Sequence, residues 1–346
     1  MKIPLSLWFA SLVPLAAIPA TTTLNLVSDP AFNRVTVTVN PQVGLPISLA
    51  DTDTTVLTGS VDATFNVDPQ AGTTVELTLS NGRASGTAMN FSKTVLTTGY
   101  NINMTGLSAA IDTIAPPGTV NPLTGEFPAE EHQFVIDQGT ISGTALGNPV
   151  NTSFSPESSA GGAGTGTGTV VLTAAGDSGI YRNFNVTVTF PVAIDDSFDA
   201  DGTLVAVTAS GTLKATGTLQ VPRSAYLAWT VDENISGAGF EDDANGDGVS
   251  NGLLWALGLG IDDDPFPYLP RPDPAVAGGF LVPLPPGGSA GPILIQSSDS
   301  LASWPSVAAT GLSAPANPLP AGSVGTVAVF PDGSPKRFVR LKVTEP

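Results

Sequence analysis

The 346-residue sequence contains no cysteine and a single histidine. Without thiols there is no disulfide framework, no thiolate metal site, no cysteine nucleophile and no lipidated N-terminal cysteine. One imidazole excludes a multi-histidine zinc site and leaves His132 alone for histidine acid–base chemistry. Basic residues are also scarce, with 12 Lys and Arg against 30 Asp and Glu, a formal net charge of -18. Such a chain repels phosphate backbones and anionic membrane surfaces, so nucleic acid is not expected as a partner. After the first twenty residues no apolar run approaches the roughly 18–20 residues a membrane span needs. Apolar residues nevertheless make up 41% of the chain, enough to bury real cores, and at about 100–200 residues per domain the length suggests two domains.

Residues 1–20 read as a secretory signal peptide. Met1-Lys2 gives a positive start, Ile3 to Leu15 is apolar apart from Ser6 and Ser11, and Ile18-Pro19-Ala20 offers a small residue for cleavage after about Ala20. Pro4 and Pro14 interrupt the run, which argues against a membrane anchor.

Residues 21–221 form the first expected domain. Residues 21 to 220 hold 35 of the 39 Thr and no Trp, and β-branched Thr favours strands. Alternation of apolar and polar residues at 35–39, 61–67, 75–79 and 186–190 gives each strand one wet face, which favours antiparallel pairing. Turn signals stand at Asn81-Gly82, Pro116-Pro117-Gly118 and Asp201-Gly202. Three short echoes, at Ala84–Ala88, Ile141–Ala145 and Ala209–Leu213, share a Ser-Gly-Thr core. Their spacing is too irregular for a solenoid, and glycine inside a strand marks a bulge or bend. The expected fold is all-β, with this domain an antiparallel β-sandwich or barrel.

From 222 to 270 the composition changes. Short helices are expected at Ser224–Trp229 and Gly252–Leu257, the second stopped by Gly258. No Lys or Arg occurs between Ser224 and Pro270, while nine carboxylates do, an unfavourable crowd unless solvated, partly protonated or bound to a cation. Within it Asp243, Asn245, Asp247 and Asn251 occupy positions 1, 3, 5 and 9 of a loop with Gly248 at position 6. The carbonyl of Val249 at position 7 completes a candidate oxygen set for calcium. Calcium takes six to eight hard oxygen ligands, and alternate residues of a tight loop present them around one centre. The bland alternative is an acidic Asx/Gly turn capping the next helix. Position 12, where an EF-hand loop carries a bidentate Glu, is Leu254, which predicts weak binding in the ~0.1–1 mM range of extracellular modules.

The stretch Ser224–Gly258, with Tyr226, Trp229, Asp243–Asn251 and Trp255-Ala256-Leu257-Gly258, resembles a C-terminal calcium-loop module of bacterial exported proteins, whose loops are similar to those of thrombospondin type 3 and dockerin repeats. Such modules often accompany PEP-CTERM-type sorting tails. The resemblance continues in Ile295–Trp304 and Pro335–Thr344. It implies export by a Gram-negative-type bacterium, with the protein secreted, at the cell surface or in the periplasm, and it implies architecture more than activity. Two departures matter: Leu254 replaces an acid common in these loops, and no sorting tail follows Pro346 in this sequence.

Residues 271–346 carry 13 of the 31 Pro, a density that confines strands to short runs and edges. Strands are expected at 292–296, 325–330 and 337–344, the last with Val339, Leu341 and Val343 opposite Arg340 and Lys342, in a small β-sandwich-like module. For catalysis, His132 follows Glu130 and Glu131 but has no identifiable nucleophile, and no Gly-x-Ser-x-Gly elbow, P-loop or dinucleotide fingerprint occurs. Asp51-Thr52-Asp53 and Asp199-Ala200-Asp201-Gly202 read as acidic turns. The expected function is that of an exported, non-catalytic β protein with a structural calcium site, a surface, matrix or ligand-binding component whose partner is an extracellular polysaccharide or surface. The alternatives are a secreted hydrolase or carbohydrate-binding protein with its site in the first domain, where Tyr100 and Tyr181 are the only Tyr and Trp is absent, or a lipid-binding β-barrel.

Overall fold

The computed structural model describes residues 17–29, 31–42, 49–95, 98–145, 147–157, 159–200, 203–285, 289–291, 293–298, 301, 304, 311–313, 319, 323–329 and 338–345. The fold is all-β, with two short α-helices among the described residues, and the chain divides into two compact units, Met1–Arg223 and Ser224–Pro346. Of the stretch 222–270, expected as a separate junction, all but residues 222 and 223 group with the second unit.

The first unit contains β1 (Ile18–Leu26), β2 (Arg34–Pro41), β3 (Asp51–Asp68), β4 (Thr73–Gly86), β5 (Met89–Val95), β6 (Thr98–Thr113) and β7 (Gly118–Thr119). It continues with β8 (Glu126–Pro128), β9 (His132–Ala145), β10 (Asn148–Phe154), β11 (Ala160–Ala163), β12 (Thr167–Ser178), β13 (Tyr181–Ala200) and β14 (Thr203–Pro222). These fourteen strands form one sheet with the main path β10-β9-β6-β4-β3-β1-β14-β13-β12-β8, and every pairing among the described residues is antiparallel. The period-2 pattern explains which face is dry. On β13 the even positions Phe184, Val186, Val188, Phe190, Val192 and Ile194 are all buried, as are Val61, Ala63, Phe65 and Val67 on β3.

The long strands share two short partners. β1 covers the second half of β3, from Ile18↔Val67 to Asn25↔Ser60, and β2 covers the first half, from Arg34↔Val56 to Val39↔Asp51. Both also pair with β14. Between them the chain leaves the ladder and returns at Asn33, which is 1% exposed and has φ +55°. Its side-chain nitrogen donates to the carbonyls of Val27 (2.7 Å) and Lys214 (2.9 Å), and its side-chain oxygen accepts from Lys214 N–H (2.8 Å). Asn tolerates the left-handed region and here satisfies the orphan groups of the break.

Several sequence expectations are corrected. Asn81-Gly82 is no turn: it lies inside β4, with Asn81 at φ +53°, where the register with β3 shifts between Ser60 and Asp62. An αL Asn followed by Gly absorbs an irregularity within a strand as readily as it closes a hairpin. The shared glycines mark no bulge either. Gly143 and Gly211 sit in unbroken ladders, and a Cβ at either would collide with a backbone oxygen of the neighbouring strand, Asn101 or Arg34. They permit close approach. The glycine-rich 158–168 stretch supplies β11, paired with β9. Residues 1–16, Ser158 and Asp201-Gly202 lie outside the described residues; β1 begins at Ile18, and Ile18–Ala20 pair with Phe65–Val67 of β3.

The second unit opens with α1 (Ala225–Asp232), whose N-cap Ser224 accepts a hydrogen bond from Leu227 N–H, and α2 (Asn251–Leu257), closed by Gly258 at φ +71°. β15 (Arg271–Pro272), β16 (Gly279–Leu284), β17 (Ile293–Ser298), β18 (Gly311–Ser313), β19 (Val324–Val329) and β20 (Phe338–Val343) follow. They form a four-stranded sheet, β15-β16-β19-β18, and the pair β17-β20. Leu254 and Leu257 of α2 share one buried cluster with Val282, Ala328 and Leu341, which is why the helical stretch and the Pro-rich end make one unit.

Asn33→Ala should cost about 2–4 kcal/mol in denaturant unfolding, since it strips the partners of several buried backbone groups and replaces a residue that tolerates positive φ with one that does so less readily. Asn33→Gly, which removes only the hydrogen bonds, should cost less.

Candidate metal centre

The acidic loop is built from both ends. Asn251, fully buried at the start of α2, accepts from Ala244 N–H with its Oδ1 (3.1 Å) and donates from Nδ2 to the carbonyl of Gly239 (3.1 Å). Its own N–H donates to Asp242 O (2.7 Å), and Gly252 N–H donates to Phe240 O (2.8 Å). The ring of Phe240 lies on Gly252, where any side chain would clash, and packs edge-on against Tyr226 and Trp255. Tyr226 in turn donates its hydroxyl to the carbonyls of Ala238 and Gly239. The loop is thus tied at its base to an aromatic core.

Inside this frame the chain wraps around Asp243. Its Oδ1 accepts from Gly246 N–H (2.8 Å) and Asp247 N–H (3.2 Å), and its Oδ2 accepts from Gly248 N–H (2.8 Å). Gly246 and Gly248, at φ +77° and +87°, supply the tight turns. Asn245 Oδ1 accepts from Asp247 N–H (3.1 Å), and Asn245 Nδ2 reaches both Asp247 Oδ2 (3.0 Å) and Ile261 O (2.6 Å). Asp247 Oδ1 accepts from Val249 N–H (2.7 Å). The structure therefore brings Asp243, Asn245 and Asp247 together around one loop, with Val249 next to it. Asn251 also holds the loop's ends, its Oδ1 accepting from Ala244 N–H and its Nδ2 donating to Gly239 O.

Leu254, at position 12, is fully buried in the cluster with Leu257 and Val282. The face of α2 that would carry a twelfth-position carboxylate is here a core face. The neighbouring acids are engaged locally: Asp242 accepts from Gly239 N–H, Glu233 from Ile261 N–H and Asp263 from Gly260 N–H. Among the described residues no group of three or more His, Asp or Glu side chains converges on one point. The donor set at the loop is all hard oxygen, two carboxylates, an amide and a peptide carbonyl, and its chemistry fits calcium with water completing the shell.

The remaining sequence candidates are structural in their surroundings. Asp51 accepts from Ser92 N–H and Asp53 from Asn90 N–H, so this pair ties β3 to β5. His132 is 1% exposed, its Nδ1 2.9 Å from Thr113 Oγ1 and its ring edge-on to Phe127 at 5.0 Å. Nε2 has no hydrogen-bond partner among the described residues. Burial pushes the imidazole down to about 4, against a smaller opposing pull from Glu131. The carboxylate of Glu131 itself accepts from Thr119 N–H and Oγ1.

Because His132 is the sole histidine, its ring protons report on it without assignment ambiguity. They should titrate near pH 4 and not near 6.5. The unfolded chain binds this proton first, so stability is complete above about pH 6.5 and falls as the pH drops toward 4, by about 1.4 kcal/mol per unit across that window. A His132→Gln variant should lack that component of the slope. No family model matches the chain, and neither a curated protein nor a solved structure is detectably similar to it.

Proposed function

We propose that this is an exported, non-catalytic β protein whose second unit is fastened by calcium, serving as a surface, matrix or ligand-binding component outside the cytoplasm. The observation that supports it best is the wrapped loop at Asp243–Val249 within a stretch, Ser224 to Pro270, that has nine carboxylates and no basic residue. Asp243, Asn245, Asp247 and the Val249 carbonyl would hold the ion. Asn251 acts as the clamp that keeps them in place. Calcium supplies the missing positive charge, and an ion bound only by the folded form stabilises it by mass action. In a protein without cysteine, that linkage does the fastening work that disulfides do in other exported proteins. The partner consistent with an acidic exported protein is an extracellular polysaccharide or surface component.

The export reading is refined by β1. Since Ile18–Ala20 pair with Phe65–Val67 of β3, cleavage after Ala17 leaves the strand whole, and N-terminal sequencing of exported protein should begin at Ile18. Cleavage after Ala20 would instead trim β1.

Thermal unfolding in EGTA against about 2–5 mM calcium tests the metal reading. At an affinity of ~0.1–1 mM, calcium should add about 1–2 kcal/mol, a rise of a few degrees in Tm. Asp247→Asn, which keeps an acceptor for Val249 N–H but loses the charge, should abolish most of that rise. Equal curves with and without calcium, together with no calcium heat by calorimetry, would remove this reading.

A further inference from the structure

Two walls of the first unit's curled sheet face each other across a cavity of about 370 Å³. One wall is the inward face of β13, β14 and β2, where Ile194 pairs with Ala209 and Ala209 with Val37. The other comes from β5, β6, β9 and β10, including the directly paired Met89 and Met104. Its floor is dry: Val37, Met89, Met104, Leu107, Ile194 and Ala209 are all buried. A further apolar void of about 30 Å³ extends below the same floor. Toward the opening the lining is still apolar but half-exposed, at Ile136, Phe154 and Val207. The volume lies within the roughly 300–1,000 Å³ range of small-molecule sites, and a mostly apolar lining with a few placed polar groups is the usual character of such sites.

The polar lining residues are Thr152, Ser159, Asp196 and Ser197, all half-exposed or exposed, in contrast to the dry floor. Asp196 is the telling residue. It continues the inward, even-numbered stripe of β13 directly after Ile194, opposite Val207 on β14, so a carboxylate occupies a register position that is otherwise apolar. It is half-buried, and among the described residues it accepts from Ser197 N–H (2.7 Å) and, over a longer distance, from Gly161 N–H (3.4 Å). None of the ion pairs among the described residues involves it, and no basic residue is among the described residues that line the cavity. An anionic head would meet this carboxylate at the mouth, whereas a cationic head would neutralise it.

We propose that this cavity binds a single-tailed cationic amphiphile, its alkyl chain against Met89 and Met104 and its ammonium head beside Asp196. Unbranched thioether side chains suit such a floor because they adapt to a flexible tail. All the described lining residues belong to the first unit, so binding should be the same in EGTA and in calcium.

The test uses the full mature chain with the neutral apolar dye N-phenyl-1-naphthylamine, displaced in parallel by decylamine, decanol and decanoate below their micellar concentrations. The dye should bind saturably near one per chain, and decylamine should displace it at concentrations about fivefold or more below those of decanoate, as expected for one partly screened charge pair. Asp196→Asn, at a solvated rim position, should keep dye binding while bringing the amine and the acid to within about twofold of each other. Val207→Trp, checked for folding by circular dichroism, should block the dye. No saturable dye binding by folded protein, or an amine preference that survives Asp196→Asn, would overturn the proposal. Decanoate displacing as well as decylamine would likewise overturn it.

Discussion

The sheet of the first unit depends on how two long strands are covered. β3 and β14 run for 18 and 20 residues, and each needs a partner along its length. The chain provides that partner as β1 and β2, two shorter strands laid end to end and joined through Asn33. A break in a ladder normally leaves buried N–H and C=O groups unpaired, at about 1–3 kcal/mol each. Asn33 takes up those groups on both sides, from Val27, Lys214 and its own backbone contact with Thr212. The two short strands can then cover β3 and β14 in turn without leaving buried groups unpaired at the join.

In the second unit the organising constraint is aromatic packing. Tyr226, Phe240 and Trp255 meet edge to face, and Trp229 stacks on Tyr226 while donating its indole N–H to Leu259 O. These contacts set the ends of the acidic loop and turn one face of α2 inward. Leu254 lies on that face, so the position that would be a carboxylate in a tighter calcium loop contributes to the core instead. The loop's oxygen set is correspondingly limited to Asp243, Asn245, Asp247 and a carbonyl. Leu254 thus serves the packing of α2 and adds no oxygen to the loop.

How much of this was legible in the sequence depends on the range of the interaction. The all-β class, the strands at 35–39, 61–67, 75–79 and 186–190, both helices and the alternation of Val339, Leu341 and Val343 follow from local periodicity, which the fold preserves. The wrapping of the loop around Asp243 was also visible, because Asx turns and positive-φ glycines act over a few residues. Three features were not legible because they are decided by distant partners. Asn81-Gly82 has the chemistry of a turn, and only the continued pairing of β4 with β3 makes it an irregularity. The glycines of the repeated Ser-Gly-Thr pattern have the local chemistry of bends, yet Gly143 and Gly211 answer to neighbours on other strands. The role of Asn251 as a clamp requires Gly239 and Ala244 to be brought to it by the aromatic core.

Asp196 belongs with these long-range features, although it left a sequence signal. Even positions from Phe184 to Ile194 are apolar without exception, so the next even position is the first place where the stripe could admit a charge. Taken locally, Asp195-Asp196 is one more acidic pair in an acidic chain. The ladder decides between the two acids: Asp195 faces solvent, while Asp196 shares the face of Ile194, Val207 and Ala209. Pairing with β12 ends at Thr189, so this part of β13 lies beyond the ladder that covers its first half. An inward charge there also discourages edge pairing with another chain. The edge role explains a charge of either sign anywhere along the uncovered segment. It does not explain a lone carboxylate at the mouth of an apolar cavity, and that placement connects the fold of the first unit to a ligand of one chemical kind.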